Sequence, residues 1–438
     1  MVHHYQHGGK FIFSVVEEKP NRQKATITVG RDYVNTLYSQ ILLSQKMLAQ
    51  TPGFLKGSTP LHYIAENFRP NILEHLKELL FTHCIQHFLY ASLIENKIVV
   101  IGDPDLVDIY LKPNEDAQFI FTLASAALEN DQKWKRLSLR HLERKHYKDL
   151  DKQVEFFIKE ETDRKKEHKS SVIEPGDWIQ FEISLVDKTN NPLLDTYKSS
   201  LWISIQGEDD EKDLRELFLG KKVGDSFFTQ SVFLQEYISH LTDMEYNFFV
   251  EIKDHLPNAY FNIDLFKHHF SLADEEMLAS KLVEVFSTRN DITLRREIME
   301  ASLKLVCKQF FFLLPHHLVE RQRSMVLQSV QFNPDYHVYK SQINFKENVN
   351  QLAEKQLKEA LIIDAIAFNE GISVSDEDVR SYLNLLKRPR MKEFMHFKLP
   401  EFKLQRQEVP LSSELVKRYC LREKTLNYII KEFTKKRS

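Results

Sequence analysis

The chain has 438 residues, of which 42% are hydrophobic and 28% charged, and its formal net charge is −3. That length exceeds one ordinary core and predicts two to four domains, while the composition is that of a soluble globular protein. The near-neutral balance excludes a global positive field for nucleic acid, since residues 1–140 hold 15 Lys and Arg against 14 Asp and Glu.

The first apolar run, Phe11 to Val16, is interrupted by Ser14 and followed by Glu17 and Glu18. It is too short for a signal-peptide core, and no later run is long enough to span a bilayer. A cytoplasmic protein with no membrane and no DNA partner is expected. Residues 11–16 and 25–29 read as strands, being rich in β-branched and aromatic residues. Tyr33, Leu37, Ile41 and Leu42 then take up helical spacing after Asp32. Two glycines and two prolines in Thr51–Pro60 break that helix and form a loop. Ile72, Leu73, Leu76, Leu79, Leu80 and Cys84 mark a second helix, and Lys97–Ile101 and Gln118–Leu123 read as strands. Residues 1–130 are thereby expected to form an α+β domain.

Residues 131–170 are dense in both charges and read as a solvated linker helix. Alternating runs at Trp178–Leu185, Leu201–Ile205, Phe227–Phe233 and Asn247–Ile252 predict a small antiparallel β domain over residues 171–256. Residues 257–438 follow a helical pattern, with a stop at Glu370-Gly371, a cap at Ser375 and a last helix from about Ser412 to Phe433. The chain is read as an α+β multidomain protein whose C-terminal part is elongated and all-α. Few glycines (11) and many phenylalanines (31) agree with a helix-rich architecture.

Cys84, Cys307 and Cys420 are odd in number and far apart, which suits a reducing compartment. The pairs His3-His4, His268-His269 and His316-His317 place adjacent rings on different sides of an element, so no metal is expected. No phosphate-binding, zinc-protease or nucleophile-elbow motif occurs, so no cofactor and no energy coupling to ATP are expected.

Gly53-Phe54-Leu55-Lys56-Gly57-Ser58-Thr59-Pro60 lies between two helices of the α+β domain and resembles the ribosome-docking signature of the trigger factor family, Gly-Phe-Arg-x-Gly-Lys-x-Pro. EPGDWIQFEI, LGKKVGDSF, QEYISH and NFFVEIK are similar, in order and spacing, to the frame of an FKBP-type prolyl isomerase domain. Leu314-Pro315 with Leu318-Val319-Glu320, LKEALIIDAIAFNEGISVSDEDV and LREKTLNYII resemble the family's chaperone-arm region. The resemblance covers nearly the whole chain and implies a ribosome-associated folding chaperone with no cofactor.

Carried over by position, the ribosome-binding residues are Gly53, Phe54, Lys56 and Gly57. Leu55 and Ser58 replace two of the family's three cations, which implies weakened docking. The prolyl pocket implied by the resemblance comprises Tyr237, Phe248 and Asp195, with Leu194 beside Asp195 and Ile183 where an aromatic is usual. Glu211-Lys212-Asp213-Leu214 replaces the pocket's Val/Ile-Pro-Gly-aromatic corner, and charge cannot line the dry cradle that favours a twisted, less polar prolyl bond. Weak or absent isomerase activity is therefore expected, and Tyr237, Phe248 and Trp202 also read as plain core.

Phe310-Phe311-Phe312-Leu313-Leu314 with Met325 and Val326, and Met391, Phe394, Met395 and Phe397, are candidate surfaces for unfolded or nascent polypeptide. The same spacing serves a packed core. The expected function is an ATP-independent holding chaperone. The alternatives are an active isomerase and a non-ribosomal chaperone or assembly factor, while a periplasmic chaperone is disfavoured by the lack of an export signal. The oligomeric state, a homodimer included, stays open.

Overall fold

A computed structural model describes all residues except 1–2, 8–9, 20–21, 97, 99, 101–103, 125–131, 140–148, 169, 187–189, 193–197, 206–211, 239–246, 287–288, 311–313, 332–334, 400–402, 405–406 and 435–438. It divides into two compact units. One comprises Met1–Ala127, Glu182–Ser199 and Ser226–Glu251, and the other Leu128–Phe181, Ser200–Asp225 and Ile252–Ser438.

The N-terminal part contains strands β1 (His3–His7), β2 (Phe11–Lys19) and β3 (Arg22–Val29), then helices α1 (Arg31–Leu48), α2 (Leu61–Asn67), α3 (Arg69–Leu80) and α4 (Gln86–Glu95), then β4 (Asp105–Tyr110) and β5 (Ala117–Ala124). The strands form one sheet in the order β1-β2-β3-β5-β4. Alternation explains its core: Ala25, Ile27 and Val29 face inward and pair with Phe121, Phe119 and Ala117, all buried. On the helices the 3.6-residue period buries Val34, Leu37 and Ile41 of α1 and Ile72, Leu76, Leu79 and Leu80 of α3. The fourth strand is a correction. Of the expected strand Lys97–Ile101, Ile98 and Val100 lie outside any strand and Lys97, Val99 and Ile101 lie outside the described residues, while a strand runs over Asp105–Tyr110, where aspartates interrupt the apolar run.

Further along come α5 (Leu150–Glu167), β6 (Trp178–Val186), β7 (Ser199–Ser204), α6 (Lys212–Phe218), β8 (Ser226–Thr229), α7 (Val232–Ile238) and β9 (Asn247–Leu256). The strand expected over Phe227–Phe233 stops at Thr229, and Val232 starts a helix. Helices α8 (Ile263–Phe270), α9 (Glu275–Phe286), α10 (Arg289–Gln309), α11 (His316–Gln331), α12 (Tyr336–Lys340), α13 (Phe345–Asn369), α14 (Asp376–Leu386) and α15 (Pro389–Lys392) follow. Three two-residue strands, β10 (Lys403–Leu404), β11 (Gln407–Glu408) and β12 (Leu411–Ser412), precede the last helix, α16 (Ser413–Thr434). The second five-stranded sheet has the order β12-β7-β6-β9-β8. The architecture is α+β and multidomain with a helical C-terminal region, and among the described residues no helix is long and apolar enough to cross a membrane.

The expected cap of α14 is built as a capping box, with Ser375 Oγ accepting from the Asp378 N–H at 3.2 Å while Asp378 accepts from the Ser375 N–H at 2.8 Å. Helix α5 departs from the solvated spacer expected of it. Its Val154 and Glu161 are buried, and the Glu161 carboxylate accepts the Phe261 N–H at 2.5 Å and pairs with Arg388 at 3.3 Å. Arg164 of the same helix pairs with it as well, at 3.2 Å, and a charge-dense sequence hides this because one carboxylate with three partners can be buried while its neighbours stay in water.

Candidate docking loop and polypeptide-binding surfaces

The loop between α1 and α2 is shaped by its own chemistry. Gly53 and Gly57 have φ of +85° and +81°, a region that side chains with a Cβ rarely enter. A Cβ on Gly57 would also sit 3.4 Å from Met47 Sδ on α1. The hydroxyls of Thr51 and Thr59 meet across the neck of the loop, and both residues are buried. Ser58 donates from both its N–H and its hydroxyl to the Leu55 carbonyl, at 2.9 and 2.7 Å. Ser58 thus spends its polar groups closing the turn.

Outside this staple the loop is apolar. Leu55 is 83% exposed and Phe54 42%, with the Phe54 ring 5.9 Å from that of Tyr63. Leu43, Met47 and Leu48 of α1 and Leu61 of α2 are exposed as well. Lys56 is exposed, and among the described residues neither Lys46 nor Lys56 has an ion pair. The four expected docking residues therefore share one loop, two as hinges and two as exposed groups. Leu55, noted in the sequence as a lost cation, is the most exposed apolar side chain there.

The expected prolyl-pocket residues are placed differently from one another. Phe248 on β9 is wholly buried opposite Thr229 of β8, while Tyr237 on α7 is half-buried. Leu194, Asp195 and Glu211 lie outside the described residues, and Lys212 begins α6. Ile183 is buried, as is Trp202, which joins a core with Leu256, Phe261, Leu411 and Val416. Leu411 of β12 stands opposite Trp202 in the antiparallel β12–β7 pair. The Gly176-Asp177 of the isomerase-like frame is structural. Asp177 accepts the N–H groups of Glu174 and Asn258 at 2.8 and 2.6 Å and pairs with His255 at 2.6 Å. Burial pushes its pKa up, but the hydrogen bonds from His255 and the two N–H groups outweigh that and hold the carboxyl below its ordinary range.

In the helical region the structure separates the two expected apolar clusters. Met391, Phe394, Met395 and Phe397 are buried, the first three in the core around Tyr382 and the last beside Leu426 and Phe433, so this cluster is packing and not a free surface. Phe310 and Val326 are buried too and Met325 is half-buried, while Phe311, Phe312 and Leu313 lie outside the described residues. Exposed apolar groups instead occupy α12 and the residues between it and α13. Ile343 is fully exposed, and Val338, Tyr339 and, on α13, Leu352 are exposed as well. Next to them α11 and α13 pack through Val326, Val349 and Ala353, with Leu327, Val330 and Phe345 against these. The sequence signal for these residues is weak: YHVYKSQINF mixes apolar with polar side chains without period.

The histidine pairs enter other roles. His3 and His4 lie in β1, His316 and His317 are exposed at the start of α11, and His268 pairs with Asp378 at 3.0 Å. Burial pushes His269 down to about 3, which keeps it neutral beside Arg295. Among the described residues no cluster of His, Cys, Asp and Glu could hold a metal.

Residues 13–160 match the family described as bacterial trigger factor protein, and residues 274–431 match its C-terminal family. A trigger factor from Halothermothrix orenii is 21% identical over 381 residues, covering 82% of this chain and 86% of its own. One from Geobacter metallireducens is 21% identical over 394 residues, covering 85% and 87%. One from Ureaplasma urealyticum is 23% identical over 305 residues, covering 64% and 61%. A solved structure described by promiscuous substrate recognition in folding and assembly activities of the trigger factor chaperone aligns with a TM-score of 0.36 and 15% identity, over 96% of this chain and 99% of its own.

Proposed function

The chain belongs to the trigger factor family, and we propose that it works as an ATP-independent chaperone that holds nascent or unfolded polypeptide. The observation that carries this reading is the exposed apolar stretch over α12 and the residues leading into α13. Val338, Tyr339 and Ile343 stand in water, next to a helix pair whose nearby packing is Val326, Val349 and Ala353 with Leu327, Val330 and Phe345. Dispersed apolar groups on an adaptable support bind many sequences weakly, and release needs no nucleotide. Suppression of aggregation of a denatured test enzyme tests the reading. The protein is expected to suppress it at a few-fold molar excess without ATP, and no suppression at any ratio overturns it.

Ribosome docking, in this reading, is retained in weakened form through Phe54, Lys56 and the Gly53 and Gly57 hinges. One loop cation where the family's fullest motif has three leaves a shallow dependence on salt, about one unit of slope per phosphate contact. Co-sedimentation with ribosomes across a salt series, with Phe54→Ala and Lys56→Ala, tests this part. The exposed Leu55 favours a second reading, a chaperone or assembly factor that works away from the ribosome, which gains if no salt concentration brings the protein down with ribosomes. Prolyl isomerase activity is proposed to be weak or absent. Phe248 is wholly buried and cannot face a substrate without repacking its sheet, and a proline-limited refolding assay tests that part.

A further inference from the structure

An edge strand offers unpaired backbone groups to any extended chain, and proteins usually blunt such edges with charge, proline, bulges or brevity. Three of the four edges of the two large sheets are blunted. Strand β4 carries Asp105 and Asp108 and a register shift between Leu106 and Asp108. Strand β1 holds three histidines and a glutamine in five residues, and β12 is two residues long and runs directly into α16. Strand β8 is different. It is four residues long and follows a bulge in which Gly224 and Asp225 both bond Ile252, but Ser226-Phe227-Phe228-Thr229 has no charge and no proline, and its register with β9 is regular from Ser226–Glu251 to Thr229–Phe248.

The hydrogen bonding fixes which groups face outward. In an antiparallel pair alternate residues turn both N–H and C=O toward the neighbour. The Ile252 N–H donates to the Asp225 carbonyl at 3.0 Å, which sets the phase so that Phe227 and Thr229 face β9. Ser226 and Phe228 then present two N–H and two C=O groups on the open side, with no partner among the described residues. An isolated antiparallel bridge from Val172 to Lys222 stops short of them. The Phe228 side chain is 51% exposed, and Val223 and Val232 flank the strand exposed as well.

We propose that the open edge of β8 binds an extended segment of unfolded polypeptide as an added β-strand, through the backbone groups of Ser226 and Phe228 and the side chain of Phe228. This rests on the chaperone reading above and gives the same clients a second contact that reads backbone and not sequence. Every unfolded chain carries matching N–H and C=O groups, whereas a folded surface has already paired its own. Pairing with a second copy through four residues would bury far less than the roughly 1,200 Å² of a stable interface. A contact that small suits reversible holding.

The test uses the full chain and a short labelled peptide of alternating valine and threonine, followed by fluorescence anisotropy and by amide hydrogen exchange. Bound peptide is expected to slow exchange at Ser226 and Phe228. N-methylation of the peptide's central residues, and Phe228→Lys in the protein, are each expected to weaken binding about tenfold, the loss of two backbone hydrogen bonds or the gain of an edge charge. Equal binding of the methylated peptide, unchanged exchange at Ser226 and Phe228, or a Phe228-dependent dimer would each overturn the proposal. Phe228→Thr, which keeps the strand propensity and the free edge, separates a misfolded Phe228→Lys protein from a blocked edge and is expected to bind within about threefold of the unaltered chain. The two readings fail separately. A protein that binds the peptide at β8 yet suppresses no aggregation sinks the chaperone reading, and one that suppresses aggregation with β8 unprotected sinks the edge site.

Discussion

The loop of residues 51–60 and the turn around Ile343 both hold apolar side chains in water, and they are built in opposite ways. The loop is stapled by the buried Thr51 and Thr59 hydroxyls, hinged on two glycines of positive φ and braced by Phe54 against Tyr63. The turn rides on two helices joined by Val326, Val349 and Ala353, with Tyr336 against Phe345 near its tip. A fixed surface loses little freedom on binding and suits one partner, while a lightly supported one can adapt to many. On the proposed reading, the difference would give recognition of a single partner to the loop and indiscriminate holding to the helix pair.

Acid offers the largest separation of the two. His75 on α3, in the domain that bears the loop, is buried, and desolvation pushes it down to about 4 from 6.5. Between those values the unfolded chain takes the proton and the folded domain does not, so stability falls as pH drops from 6.5 toward 4. The full shift corresponds to about 3 kcal/mol. In the helix pair the described histidines, His316 and His317 at the start of α11 and His337 in α12, are exposed. Amide exchange at pH 4.5 against pH 7 is expected to rise steeply in α3 and little in α11 and α13. His75→Gln should flatten the response of α3, and equal acid sensitivity in the arm would erase the contrast.

The staple predicts the next effect. Thr59→Val leaves the buried Thr51 hydroxyl without its partner and is expected to cost about 1–3 kcal/mol, whereas the double change to valine should recover much of it because both polar groups then disappear. Chemical denaturation of the two variants checks the non-additivity. Additive losses would mean that the hydroxyls do not hold each other and that the loop is as loosely supported as the arm.

The α+β core was legible because alternation and helical period are properties of neighbouring residues: Ala25, Ile27 and Val29, or Ile72, Leu76 and Leu79, declare their faces without help from the rest of the chain. So was the loop of residues 51–60, since glycine and proline punctuate locally. The helical region was legible as helix and illegible as surface. Met391, Phe394 and Met395 look like a client-binding stripe, yet α5 and α9 bring Val154, Leu278 and Leu282, with Phe261, into the same core from far along the sequence. The free edge of β8 was hidden for the same reason, because sheet order is set by long-range pairing. Val338 and Ile343 are not legible in the same way, because a five-residue helix and a short connection are too brief to show a period.

A tenfold effect is expected at the arm. Val338→Asp with Ile343→Asp removes two exposed apolar groups and puts charge where clients would bury surface, so affinity for an unfolded test polypeptide should fall about tenfold. Both positions are exposed, so stability should change by less than about 0.5 kcal/mol. Leu43→Asp with Leu48→Asp, beside the loop, is the control and should leave that affinity unaltered. Equal losses from the two pairs would mean that exposed apolar area alone decides holding, and that the construction of the arm contributes nothing.

The smallest effect is a slope. Leu55 points into solvent at the crest of a loop whose backbone is fixed by Gly53, Gly57 and the double donation of Ser58 to the Leu55 carbonyl, so Leu55→Arg changes the chemistry presented without disturbing the frame. One added cation on a preorganised loop adds about one phosphate contact, and the log–log dependence of ribosome binding on salt should steepen by about one unit, with Lys56→Ala making it shallower by the same amount. The corresponding Ile343→Arg in the arm should leave the slope alone. A slope indifferent to both loop changes would mean that Leu55 stands at an apolar protein contact, and that the loop has kept its shape while exchanging its partner.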